Sequence, residues 1–381
     1  MNFLDDELLS RIHERAAQVD ADNAFPEEDF ADLKAAGYYK AFVPTEFGGA
    51  GLTLQEIARE QTRLAQSAPA TALAINMHQI IVGLGRHLVA NGVSSGEQIL
   101  RDAAAGELFA FGISEPANDL VLFGSLTEAR PDGEGGYTFH GVKIFTSMAP
   151  AWTRLLTFGR DTSADEDAPY SVFALLHRDR GGFEIKDDWN VLGMRGTQSN
   201  SHVLDGAPAA QEQVLQRVEA GVSFEPVVFG IFSYFEVLLG ATYLGIGNRA
   251  IEVAAEKVQT RKSVMNQDVY ANDPDIRWRL ADAAISMHNA TAVVHNLARA
   301  LDEGEDRGPI IYPQLSAAKN AAAEAALHAV EQGVRSMGGS SYSNSGEMSR
   351  LYRDVVAGLF QPSDQESLHS AWADVVLGPK E

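Results

Sequence analysis

Few side chains in this sequence combine a reactive type with a telling position. Glu236 lies in the run IFSYFEVLLGA, whose aromatic and aliphatic neighbours would strip water from a carboxylate and raise its pKa, the tuning a general base needs near neutral pH. Ser114 and Ser147 stand within and at the end of the one long region of period-two alternation, Leu108 to Met148, with Phe145 two residues before Ser147. Taken alone, these hydroxyls and rings are an ordinary strand in which Phe and Ser alternate. His78, in INMHQIIVG, is most simply a core histidine bonded to a backbone carbonyl. No cysteine is present, which excludes disulfides, thiolate metal sites and a cysteine nucleophile, and no metal site is expected.

The elements that must position these residues are mostly helical. Leu8, Leu9, Ile12, Ala16 and Val19 recur at helical spacing over 5–20, and Pro26 opens a second helix that Gly37 can end. Thr53 with Glu56 makes a capping box for a helix to about Gln66, an apolar helix follows Pro69, and Ser94 with Glu97 caps another. Alternating segments then recur at 108–113, 136–144, 154–159, 170–177 and 201–204, separated by turn-rich stretches. Long Ala-rich helices are expected at about 224–262, 274–303 and 313–337, lengths that suit a bundle. The expected fold is α+β and multidomain: an N-terminal helical domain over 1–107, a β-barrel or sandwich over 108–216, and a C-terminal helical bundle over 217–381.

At 381 residues the chain exceeds what one core usually serves. A net charge of −22 argues against nucleic acid or an anionic membrane as the main partner. The N-terminus, MNFLDDELLS, carries acids where a secretory signal needs a basic run, and the absence of cysteine suits a reducing cytoplasm. Val222 to Gly247 is apolar enough to suggest a membrane span, but Glu225 and Glu236 interrupt it and a buried central helix is the better expectation.

Five stretches together resemble the acyl-CoA dehydrogenase superfamily over nearly the whole chain: FVPTEFGGAGL at 42–52, ISEP at 113–116, GYTFHGVKIFTS at 136–147, NVLGMRGTQSN at 190–200 and MGGSSYSNSGEMSRLYRD at 337–354. The resemblance implies FAD bound between the β-domain and the bundle, a homotetramer, an acyl-CoA substrate and an electron-accepting flavoprotein. Ser114 stands at the Thr of the family's Thr-Glu-Pro motif, Phe145 at the aromatic that covers the flavin, and Ser147 at the hydroxyl that reaches N5; Phe111 is grouped with them as cofactor-binding. Arg261 and Ser263 match a segment that reaches the FAD of a neighbouring subunit, and Gly338 and Gly339 a glycine turn near the same cofactor. Such a ring needs hydrogen bonds at its edge and one face sealed from water.

The chain also departs from the pattern. The family's usual base lies about nine residues after an Arg-Asp pair; here the pair is Arg353-Asp354 and the position falls on Pro362. Members that place the base on the first bundle helix would have it at Phe235, one residue or ~100° of helix rotation from Glu236. Asp364 and Glu366 are further candidates. A Ser that commonly touches the pyrophosphate is missing from ANDLVLFGS, and Pro274 occupies a polar position. The first expectation is α,β-dehydrogenation of an acyl-CoA with Glu236 as base. The alternative is a flavin monooxygenase of the same fold that takes reduced flavin from a reductase and O2, a branch in which the position of His78 often has a function. A non-enzymatic flavin-fold protein is the third.

Overall fold

The computed structural model of the protein describes residues 3–378. Five α-helices come first: α1 (Asp6–Asp22), α2 (Glu27–Ala35), α3 (Leu54–Ser67), α4 (Pro69–Ala90) and α5 (Ser95–Ala105). Thr53 shows why α3 starts where it does. Its backbone is extended, its hydroxyl accepts from the Glu56 N–H, and the Glu56 carboxylate accepts from the Thr53 N–H. Ser94 differs: its backbone is already helical (φ −64°, ψ −25°), its hydroxyl makes no capping bond among the described residues, and Glu97 pairs with Arg101 instead. α4, buried on nearly every side, packs against α5 and the bundle.

The middle region holds β1 (Phe109–Gly112), β2 (Glu128–Pro131), β3 (Tyr137–Lys143), β4 (Arg154–Asp161), β5 (Tyr170–His177), β6 (Phe183–Ile185), β7 (His202–Ala209) and β8 (Val214–Glu219). They form one mixed sheet in the order β6-β7-β3-β2-β4-β5-β8, with β1 beside β4. β1 and β2 run parallel to β4; the other neighbours are antiparallel. β2, β6 and β8 add to the strands expected from alternation.

Five helices close the chain: α6 (Pro226–Thr260), α7 (Pro274–Asp302), α8 (Ile311–Met337), α9 (Glu347–Val355) and α10 (Gln365–Leu377). α6 is long and apolar enough to cross a membrane, but 78% of its most apolar window is buried, against α3, α4, α7 and α8. A Cβ at Gly83 would lie 2.4 Å from the Tyr234 ring, so a glycine there lets α4 and α6 close together. At the opposite seam the Asp302 carboxylate accepts from the N–H groups of Leu54 and Gln55 at 2.7 and 2.9 Å, an anion seated on the N-terminus of α3. Helices, sheet and helices are thus the architecture the sequence periodicity implies.

Candidate functional site

β1 ends by delivering Ser114, and β3 by delivering Phe145 and Ser147. The Ile144 N–H donates to the Ser114 carbonyl at 2.9 Å, which sets the two strand ends side by side and gathers the three residues. Phe145 holds a left-handed backbone (φ 56°), a conformation that costs a non-glycine residue about 1–3 kcal/mol. Its ring is 52% exposed, with Trp189 set edge-on at 6.2 Å. Of the eight non-glycine residues with positive φ among those described, four lie in the two segments that meet here: Phe145, Met148, Met194 and Gln198. Strain gathered in one place marks a geometry imposed by its surroundings.

Ser147 is buried, and its Oγ lies 2.8 Å from Ser199 Oγ. Ser199 in turn lies 2.7 Å from Thr197 Oγ1, whose hydroxyl donates to the Met194 carbonyl at 2.9 Å. Both helical bodies grip this second segment. Asn23, just past α1, donates from Nδ2 to Trp189 O at 2.7 Å and accepts from Gln198 Nε2 at 2.6 Å. Arg195 Nε donates to Asp20 O at 2.7 Å, Arg353 Nη1 donates to the Asp20 carboxylate at 2.8 Å, and the Met194 N–H donates to Asp354 at 2.5 Å. Burial lifts the Asp354 carboxyl to about 6. Sequence reading marks 190–200 as a motif but assigns none of its residues a task, because the partners that fix it lie at Ser147, 52 positions away, and at Asp20, Asn23 and Asp354, more than 150 positions away.

Next to Ser114, Glu115 is the hub of a buried polar cluster. Its two oxygens accept from Lys143 Nζ (2.6 Å), Ser125 Oγ (2.6 Å), Asn118 Nδ2 (2.7 Å) and the N–H groups of Leu126 (2.7 Å) and Thr127 (3.1 Å). Lys143 also donates to Phe158 O at 2.8 Å and lies over the Phe158 ring. Burial alone would raise the Glu115 pKa, but Lys143 and the other donors hold it at about 2, while burial brings Lys143 down to about 8. The cluster pins the 117–127 connection and, through the chain, Ser114.

Glu236 is 1% exposed, and burial raises its carboxyl to about 7. Ser363 Oγ donates to one oxygen at 2.8 Å; the other has no hydrogen-bond partner among the described residues. Lys319 is close enough to stabilise the charge, yet it donates to the carbonyls of Gly358, Gln361 and Ser363 rather than to Glu236. Its neighbour Phe235 points the other way and stacks on Phe111 of β1, centroids 5.7 Å apart. The helix therefore sends 235 to the sheet and 236 to the 358–363 loop. Asp364 caps α10 by accepting from the Ser367 N–H, and Glu366 is exposed on its first turn. His78 is fully buried between the Tyr39 carbonyl (2.6 Å from Nε2) and the Phe109 N–H (3.3 Å from Nδ1), with its pKa lowered to about 4, so it is a neutral core histidine.

A second group forms at one end of the bundle. Arg261 donates to Met337 O at 2.7 Å and covers the Tyr270 ring, and a Cβ on Gly338, whose φ is 66°, would lie 3.5 Å from its guanidinium. Gly339 has open space beside it, while the Ser263 hydroxyl is taken by the Asn266 N–H. No hydrogen bond, ion pair or aromatic contact joins this group to Ser114, Phe145 and Ser147 among the described residues. One further polar residue escaped sequence reading: Asn76 of α4 is fully buried, and neither amide atom has a partner among the described residues.

Comparison with known proteins agrees with this architecture. The sequence model of the acyl-CoA dehydrogenase N-terminal domain matches residues 2–107, and that of the C-terminal domain matches 227–359. The chain is 30% identical to L-evernosamine nitrososynthase of a Micromonospora species over 93% of its own length and 84% of the relative's. It is 26% identical to the putative acyl-CoA dehydrogenase YdbM of Bacillus subtilis, over 96% and 94%. Among solved structures, KijD3 in complex with FMN and an amino-sugar nucleotide superposes with a TM-score of 0.86 at 26% identity, covering 98% of this chain and 92% of that one. With the domain matches at both ends and this similarity along its length, the chain belongs to the acyl-CoA dehydrogenase superfamily, a family of flavin-dependent oxidoreductases.

Proposed function

We propose that the protein is a flavin-dependent monooxygenase that takes reduced flavin and O2, with an amine-bearing small molecule as substrate. The observation that carries this is the orientation of the first bundle helix. Phe235 and Pro362, the two positions where the resemblance puts an α-proton base, carry no acid, and Glu236 is turned away from Phe235 into the 358–363 loop. The similarity to a nitrososynthase and to KijD3, whose complex holds FMN and an amino sugar, supports the same choice.

The residues present fit a flavin. Phe145 offers an exposed ring face, Ser114 and Ser147 supply polar atoms beside it, Phe111 on Phe235 makes an apolar wall, and Arg261 beside the Gly338 turn suits a phosphate. When bound, reduced flavin with O2 would supply the transferable oxygen. The protein's own contribution is to hold the ring edge, exclude water and seat the substrate. Glu115 and Lys143 fix Ser114, and the loop from Trp189 to Ser199 fixes Phe145 and Ser147.

The dehydrogenase reading retains one specific observation: Glu236, at about 7 with one oxygen unpartnered among the described residues, has the proton affinity of a general base. Anaerobic mixing with an acyl-CoA panel separates the two. The expected result is no bleaching of the flavin under anaerobic conditions, together with amine-dependent oxygen incorporation in a second, aerobic mixture in which a reductase and NADH supply reduced flavin. Bleaching by any acyl-CoA would overturn the monooxygenase assignment.

A further inference from the structure

We propose that Thr197, Ser199 and Ser147 form a hydroxyl relay of fixed direction that makes this site select reduced flavin over oxidised flavin. The inference rests on the flavin reading above, with Ser147 at the N5 edge of the ring.

Each hydroxyl has one proton and two lone pairs. Thr197 gives its proton to the Met194 carbonyl at 2.9 Å. In the 2.7 Å contact with Ser199 it can therefore only accept, so Ser199 donates. With the Ser199 proton committed, Ser147 must donate in the 2.8 Å contact between the two serines. Ser147 is left with a lone pair, and no proton, to offer the edge of a bound flavin. All three residues are buried, at 0%, 5% and 6% exposure for Thr197, Ser199 and Ser147, so bulk water does not compete for these bonds. The far end is fixed as well: Met194 is left-handed and its N–H is held by Asp354.

The flavin N5 atom distinguishes its two redox states by hydrogen bonding. In the oxidised ring N5 is an acceptor without hydrogen; two-electron reduction adds a hydrogen there and makes it a donor. A serine that can only accept bonds the reduced form and sets lone pair against lone pair in the oxidised form. Ser199 and Thr197 are thereby positioning residues, acting through Ser147 on the choice of redox state.

Anaerobic titration of the full-length protein with FMN and with FAD, each oxidised and dithionite-reduced, tests this. Reduced flavin should bind roughly tenfold tighter, the scale of one hydrogen bond gained against one acceptor left unpaired. The midpoint potential of the bound two-electron couple should rise by ~30 mV for each tenfold. Ser199→Ala releases the Ser147 proton to point toward the flavin edge, and Thr197→Val, nearly the same shape, releases it one step further back. Either should bring the affinity ratio close to one and lower the potential accordingly, while Ser199→Thr keeps both.

Equal or tighter binding of oxidised flavin by the wild-type protein, or an unchanged ratio in both Ser199→Ala and Thr197→Val, overturns the relay and leaves the flavin site standing. Failure of both flavins to bind in either state overturns the site and the relay together. Should Ser199→Ala not fold, the wild-type ratio and Thr197→Val decide the matter.

Discussion

Replacing Glu236 by Gln should remove a pH-dependent loss of stability that the wild-type protein carries. The carboxyl titrates near 4.5 in an unfolded chain and near 7 in the folded protein, where burial disfavours its charge. Because the folded pKa is the higher, the stabilising effect of the bound proton is fully present below about pH 4.5 and is lost as pH rises to about 7. A gap of about 2.5 in pKa corresponds to about 3 kcal/mol. Urea denaturation of wild type and Glu236→Gln at half-unit steps from pH 4.5 to 8 measures the difference. Other buried acids such as Asp354 titrate in both proteins and cancel. The wild type should lose about 3 kcal/mol relative to the variant between pH 4.5 and 7, and nothing more above it. Parallel curves across that window would refute the burial of Glu236 among Ser363 and the 358–363 carbonyls. Retention of bound flavin by the variant is expected, since Glu236 points away from the Phe111 stack.

Three further outcomes follow from the same geometry. Lys143→Met leaves Glu115 buried with its cation gone and should cost about 3–5 kcal/mol in denaturant unfolding, while adding Glu115→Gln should restore part of it. Phe145→Ala removes an exposed ring, so flavin affinity measured by fluorescence should weaken by about fivefold, equivalent to ~1 kcal/mol of aromatic stacking, with global stability nearly unchanged. Gly338→Ala must hold a side chain at φ 66° and should lose about 1–2 kcal/mol, seen as a lower denaturation midpoint at constant slope.

Residues with local causes were legible in the sequence. Thr53 and Glu56 are three apart, so their reciprocal cap could be read directly, whereas Ser94 has the right neighbours but a helical backbone that turns its hydroxyl away. β2, with three of its four residues polar or proline, and the three-residue β6 are too short for alternation to register. β8 does not alternate either: its buried residues, Leu215 and Val218, lie three apart across a register shift in the pairing with β5. The pairing of Ser114 with Phe145 and Ser147 could be anticipated from motifs, but what fixes those residues could not. Glu115 meets Lys143 across 28 positions and Ser147 meets Ser199 across 52, and periodicity contains no such distances. The single step from Phe235 to Glu236 was visible as a rotation, and the structure assigns its two directions to the sheet and to the 358–363 loop.

The grip of α1 and α9 on the segment from Trp189 to Ser199 has a bearing on how the molecule could be cut or fused. Asp20 and Asn23 reach this segment from the first two dozen residues, so the N-terminus is a working part of the ring-binding edge although it lies more than 120 positions from Ser147 in the chain. Trimming α1 to make a shorter enzyme would unseat Trp189 and Gln198 before it disturbed any strand. An appended tag at that end belongs on a spacer long enough to leave Asp20 free to meet Arg353.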